Sequence, residues 1–61
     1  MVVRKCSELY FRGDWIYSNV MSRKDGSYEV KIVTKDLVEC VFVFAYREGG
    51  RVEVISDEEV K

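Results

Sequence analysis

Short turn signals divide this chain into segments of strand length, and their spacing limits the possible folds more than any other feature. Glycine and aspartate cluster at four places, separated by stretches rich in valine, isoleucine and aromatic residues. Such segments predict antiparallel strands joined as a meander. The four places are Gly13 with Asp14, Asp25 with Gly26, Lys35 with Asp36, and Glu48 with Gly49 and Gly50.

The length and composition fit one small globular domain. The chain has 61 residues, of which 48% are hydrophobic and 34% are charged, enough hydrophobic content to fold as one domain over residues 1–61. A net charge of −1 gives no overall attraction to nucleic acid or to an anionic membrane. The sequence has neither a secretory leader nor a run of about 18 apolar residues, which predicts a cytoplasmic protein that does not enter a membrane.

The turn at Asp25 and Gly26 predicts the register of the first hairpin. Asp-Gly is a preferred pair for a two-residue type I′ turn, and that turn would place Met21 opposite Val30. Tyr17 would then lie on the same face of the sheet as Met21, because side chains alternate along a strand.

Two further turns predict the rest of the sheet. Loops of three residues at 35–37 and 48–50, the second with Gly50 in a left-handed conformation, keep the apolar side chains on one face. A two-residue loop in place of the first would put Glu39 against Ile32. The predicted inner face consists of Trp15, Tyr17, Met21, Tyr28, Val30, Ile32, Cys40, Phe42, Phe44, Tyr46, Val52 and Val54.

Residues 1–12 are the only segment that can cover this inner face. They fit a short helix capped by Ser7 and ended by Gly13, and they fit a strand equally well. The predicted fold class is therefore all-β, or α+β if residues 7–12 are helical, with a four-stranded antiparallel meander that curls toward a small barrel. A face-to-face homodimer, or an aromatic patch left for a partner, would also account for so many inner residues. Residues 56–59 could open a short helix with acidic residues in its first turn, but we expect them to fray.

The two cysteines, Cys6 and Cys40, are accompanied by no histidine, so the chain cannot supply four zinc ligands of the usual kind. We expect free buried thiols, with a disulfide as the alternative because hyperthermophiles form disulfides inside the cell.

Abundant Val, Glu, Lys and Arg, with no Gln, one Asn and one Thr, are typical of a thermophile. With no histidine and no phosphate-binding glycine loop, we predict no catalytic activity, no metal and no cofactor.

The outer face of the sheet carries the first candidate for a protein interface, an apolar strip on its central strands. Acidic residues of the C-terminal half could add contacts to a basic surface, including one that normally holds DNA. The chain is therefore predicted to be a non-enzymatic protein-protein interaction module, an inhibitor or adaptor of a larger complex. The candidate interface residues are Val41, Val43, Glu53, Ile55, Asp57 and Glu58.

A small single-stranded DNA- or RNA-binding domain is the alternative function. Aromatic rings can stack on bases while basic side chains follow the phosphates. The same rings also fit the core, because the predicted register turns them inward. The candidate nucleic-acid surface consists of Arg12, Trp15, Tyr17, Arg23, Lys24 and Lys31.

The size, the composition and the lack of catalytic groups resemble short regulatory proteins of hyperthermophilic archaea, a set that includes small inhibitors of the replication sliding clamp. Clamp-binding peptides carry a glutamine, an aliphatic residue three positions later, and then an aromatic pair. When Tyr10 and Phe11 are aligned with that pair, Arg4 and Ser7 occupy the other two positions. The resemblance therefore implies an inhibitor that binds through a surface rather than through this peptide.

Overall fold

The computed structural model describes residues 3–60, which form a mainly β fold with one short α-helix. Strands β2 to β5 form a four-stranded antiparallel meander in sequence order, and β1 pairs with β6 in a separate small sheet. The meander is confirmed, and the helical alternative for residues 7–12 is the correct one. The elements are β1 (Arg4–Lys5), α1 (Cys6–Arg12), β2 (Trp15–Ser22), β3 (Tyr28–Thr34), β4 (Glu39–Arg47), β5 (Arg51–Asp57) and β6 (Glu59–Val60).

The four-stranded sheet is open and does not close into a barrel. Its two edges, β2 and β5, do not pair with each other anywhere in residues 3–60. The helix and the small sheet cover one part of one face instead. We call that face the helix-side face and the opposite one the open face.

The registers predicted for the second and third hairpins are confirmed. Val30 lies opposite Phe42, and Val54 lies opposite Phe44. The loop at 35–37 closes with Leu37 at φ 65°, a conformation that side chains with a β-carbon rarely adopt. Gly50 has φ 79°, the left-handed conformation predicted for it.

The register predicted for the first hairpin is wrong by one residue. Val20, not Met21, lies opposite Val30. A one-residue shift exchanges the faces of a strand, so Tyr17 and Met21 lie on the open face, where each is 55% exposed.

The side chain of Asp25 explains this longer turn. Its carboxylate accepts hydrogen bonds from the backbone N–H of Ser27 at 2.9 Å and from the Ser27 hydroxyl at 2.5 Å. These bonds hold the pKa of Asp25 below its usual value. The N–H of Arg23 donates to the Ser27 carbonyl at 2.8 Å, which leaves three residues in the loop instead of two.

Helix α1 ends at a glycine and begins against a distant carboxylate. Gly13, at φ 83°, donates its N–H to the Tyr10 carbonyl at 3.1 Å, as in the usual glycine-terminated helix. Ser7 is not the N-cap that the sequence predicts, because it lies inside the first turn. Its N–H donates to Asp57 Oδ1 at 3.0 Å and its hydroxyl donates to Asp57 Oδ2.

The C-terminal segment is extended and paired, so the predicted fraying of residues 56–59 is wrong, and so is the alternative of a short helix there. Arg4 pairs with Val60 and Lys5 pairs with Glu59 in the small sheet. Val60 is 3% exposed and belongs to the core. The segment is held because its first residues also bind the start of α1.

The core packs α1 against β3 and β4, and a disulfide links α1 to β4. Cys6 and Cys40 are bonded, with their Cα atoms 5.9 Å apart, so the expectation of free thiols is wrong. The core consists of Cys6, Leu9, Val30, Ile32, Cys40, Phe42 and Val60, with Tyr10, Trp15 and Phe44 packed against it.

No helix between residues 3 and 60 has the length and apolar character needed to cross a membrane.

Candidate protein-interaction surface

The helix-side face is larger than its cover. Helix α1 has seven residues and is therefore about 10 Å long, whereas β4 has nine residues and extends for about 30 Å. The helix packs over the half of the face that contains Cys40 and Phe42, which are 2% and 0% exposed. The half toward the β2–β3 and β4–β5 turns has no cover within residues 3–60.

This uncovered half carries a continuous apolar surface, which we call the aromatic patch. Tyr46, Val52 and Val54 are 59%, 42% and 39% exposed, so the inner face is not buried at these positions, and the expectation that Tyr46 is a core residue is wrong. All three residues lie on the predicted face. They stay exposed because α1 is too short to reach them. The patch contains Phe11, Val20, Tyr28, Phe44, Tyr46, Val52 and Val54, with no charged residue among them.

Three rings of the patch hold one another in place. Tyr28 and Phe44 are stacked with ring centroids 5.4 Å apart, and Tyr46 meets both edge-on, at 5.8 Å and 5.4 Å. Phe44 also lies 6.1 Å from the buried ring of Phe42. Aromatic groups fixed in this way lose little conformational freedom on binding, a property of the residues that dominate protein interfaces.

Phe11 and Val20 belong to this surface, although Phe11 was expected to cover the inner face and the predicted register set Val20 on the opposite face. Phe11 is 62% exposed at the end of α1, with its ring centroid 5.9 Å from that of Phe42. Val20 is 47% exposed and reaches the patch only because the first hairpin is shifted by one residue. A sequence signal for the patch did exist, since twelve inner residues outnumbered the apolar residues available to cover them.

The open face contains the apolar strip predicted as an interface. Val43 is 6% exposed within it, and Val41 is half-buried. Ile55 is 51% exposed at the irregularity of β5 between Val54 and Ser56. Val41 and Val43 lie on the central strand β4, but β5 is an edge strand, so the prediction that the whole strip lies on central strands is wrong for Ile55.

The three acidic residues predicted to accompany this strip have partners within the chain. Glu53 forms an ion pair with Arg47, and Asp57 accepts the hydrogen bonds from Ser7. The Glu58 side chain accepts a hydrogen bond from the Val41 N–H at 3.1 Å. Asp57 and Glu58 therefore contribute to the fold.

The rings proposed for nucleic-acid binding lie on different faces. Trp15 is half-buried, stacks on Tyr10 with centroids 5.7 Å apart, and donates its indole N–H to the Tyr10 carbonyl at 3.0 Å. Tyr17 lies on the open face. Near it, Lys31 Nζ lies 2.8 Å from a Glu39 oxygen, and this contact raises the pKa of Lys31 and lowers that of Glu39.

The other basic residues of that set are dispersed. Arg12 is at the end of α1, 3.9 Å from Asp14, whereas Arg23 and Lys24 lie in the β2–β3 turn. The structure therefore does not bring the six residues together on one surface.

The part of the chain from residue 3 to residue 60 encloses no pocket. It also holds no group of three or more side chains of the types that bind metal ions. Comparison of the chain with protein families, curated proteins and solved structures finds no match. The aromatic patch brings together five of the exposed large apolar side chains of residues 3–60, Phe11, Val20, Tyr46, Val52 and Val54.

Proposed function

We propose that this chain is a non-enzymatic protein-interaction module that binds another protein through the aromatic patch. The observation that supports the proposal is an exposed, charge-free surface with three mutually packed rings on so small a domain. Contiguous exposed apolar surface of this kind is uncommon on soluble monomers and is typical of binding sites. Aromatic residues are also enriched at the centres of protein interfaces.

An amphipathic helix is the partner element that the patch fits best. Helix α1 already forms the beginning of a helical layer on this face, and Phe11 stands at its edge. A second helix beside it would complete the helix-on-sheet arrangement by which domains bury a sheet face. Apolar side chains at positions i, i+3, i+4 and i+7 of the partner would meet the rings of the patch.

The role that follows is that of an inhibitor or adaptor of a larger complex. A small protein that covers an amphipathic helix on a larger one can block that helix or link it to something else. The sequence resemblance to clamp inhibitors makes the DNA-replication machinery one candidate for this complex. The open-face strip with Val41, Val43 and Ile55 stays a prediction for a second contact.

The test is a pull-down from a lysate of the source organism with matched variants of the chain. Tyr46→Lys and Val52→Lys place a charge in the patch, and Leu37→Lys makes the same type of change at a site that is 74% exposed at the opposite end of the sheet. We expect the original chain and the Leu37 variant to retain the same protein, and the two patch variants to lose at least about 90% of it.

Thermal unfolding of all three variants checks that they fold. A partner retained equally by the patch variants would contradict the proposal, as would one lost equally from the Leu37 variant. Retention on single-stranded DNA at low salt, lost as salt rises, would instead support the nucleic-acid alternative.

A further inference from the structure

The two edges of the four-stranded sheet are protected to different degrees. Strand β5 carries charged residues along its length, and such residues discourage pairing with other chains. Strand β2 has eight residues with no charge and no proline. Its side chains are also exposed to an unusual degree. The exposed fractions are 59% for Ile16, 55% for Tyr17, 47% for Val20 and 55% for Met21.

The backbone of β2 has hydrogen-bonding groups directed outward at alternate residues. Arg23 and Ser27 are a hydrogen-bonded pair at the end of the β2–β3 ladder. Such pairs alternate with non-hydrogen-bonded ones in an antiparallel ladder, so Asn19 and Met21 bond to β3. The N–H and C=O groups of Ser18, Val20 and Ser22 therefore face away from the sheet.

We propose that β2 pairs in antiparallel orientation with β2 of a second copy of this chain, about a two-fold axis at Asn19. Directly opposed residues of two antiparallel strands point to the same face of the sheet, so the two-fold axis must pass through a residue and not between two residues. Near the middle of β2 the axis can therefore pass through Ser18, Asn19 or Val20. The axis at Asn19 sets Tyr17 of each copy against Met21 of the other. Ser18 and Val20 then form the hydrogen-bonded pairs, each of which exchanges two bonds. The four-stranded sheets become one continuous sheet.

The ends of β2 support a second copy over any other strand. Asp14 precedes the strand, and Arg23 and Lys24 follow it. Antiparallel pairing about Asn19, with the irregularity between Trp15 and Tyr17 taken into account, brings Asp14 of each copy beside Arg23 of the other. The strand is thus complementary in charge to its own reverse, and opposite charges at the ends of an interface fix its register.

Asp14 is available for this contact. Its oxygens lie 3.9 Å from Arg12 and 3.9 Å from Lys35, at a side chain that is 39% exposed. Exposed ion pairs at such distances contribute little to stability. If β5 of another copy paired with β2 instead, its Arg51 and Glu53 would lie against an uncharged strand. Such pairing would also join molecules into an open-ended chain instead of a closed dimer.

The test uses the unique position of a residue on a two-fold axis, where it meets itself. Asn19 is exposed and lies opposite Lys31 within one copy, so the single variants should fold. We expect the original chain to have twice its 7.2 kDa mass in size-exclusion chromatography with light scattering. Asn19→Glu and Asn19→Lys should each have the mass of one chain, because like charges oppose each other on the axis.

An equimolar mixture of the two charged variants should recover the double mass, because Glu and Lys then face each other. Asn19→Thr is the uncharged control and should keep the double mass. A single-chain mass for the original protein at every concentration would overturn the proposal. So would a dimer that persists in either charged variant alone, or a mixture that does not associate. A mass that grows without limit would indicate pairing of β2 with β5 and would also overturn it.

Discussion

The two halves of the helix-side face are built from the same strands and both carry aromatic and aliphatic side chains, yet only one is covered. Phe42 is 0% exposed in the covered half, whereas Tyr46, four residues later on the same strand and face, is 59% exposed. The difference comes from α1, which ends at Arg12. Apolar composition therefore determines which face turns inward, but the length of the covering element determines how much of that face becomes core.

Removal of one ring from each half should destabilise the fold to very different degrees. Phe42→Ala should lower the free energy of unfolding by about 3–5 kcal/mol, because it removes a fully buried ring and leaves a cavity. Tyr46→Ala should lower it by less than about 1 kcal/mol, because most of the ring is already in water. Chemical denaturation of both variants measures the difference. Equal losses would show that the patch is buried in solution.

The sequence predicted the strands of both halves better than their cover. Two of the three registers followed from loop length and from the need to keep Phe42 and Phe44 beside apolar neighbours, which is a strong constraint because a slip exchanges the faces. The first register depended on the turn type alone. There, the bond between the Asp25 side chain and Ser27 lengthened the loop, and Asp-Gly does not reveal such a bond in advance.

The disulfide ties α1 to the covered half of the face. Cys6 and Cys40 are 34 residues apart, and closing a loop of that length stabilises the fold by about 3–4 kcal/mol in the chain-entropy description. Replacement of both cysteines by alanine should lower the free energy of unfolding by about this amount. Reduction of the original chain should have a similar effect, measured by thermal unfolding with and without a reductant.

The variant without cysteines is the matched control. Its unfolding temperature should not change when reductant is added, because it has no disulfide to lose. A loss of stability in the variant on adding reductant would mean that the reductant acts on something else. Equal unfolding temperatures for the original chain and the variant would contradict a stabilising disulfide.

Sequence reasoning could not find the two-residue strands β1 and β6. Each strand is too short to show any alternation, because β1 contains only Arg4 and Lys5 and β6 only Glu59 and Val60. They pair because the disulfide holds Cys6 against β4 and because Asp57 binds the first turn of α1. Such contacts join residues far apart in the sequence, and no local propensity records them. The same is true of the acidic residues, whose internal partners are visible only in the fold.

The smallest of the expected effects concerns the contact between Asp57 and the start of α1. The first N–H groups of a helix have no partner within it, and here the Asp57 carboxylate accepts the one from Ser7 together with the Ser7 hydroxyl. Asp57→Ala should lower the free energy of unfolding by about 1–2 kcal/mol, in the range measured for loss of a helix cap. Denaturant titration measures it.

Asp57→Asn serves as the matched control, because its amide oxygen can still accept the backbone N–H of Ser7 while its charge is lost. It should fall between the original chain and Asp57→Ala. Hydrogen exchange should show faster exchange in α1 for Asp57→Ala, with the β3–β4 ladder changed less, because only the covered half depends on where the helix sits. Uniform acceleration across β2 to β5 would instead mean that helix and sheet unfold as one unit, and that the two halves share a single stability.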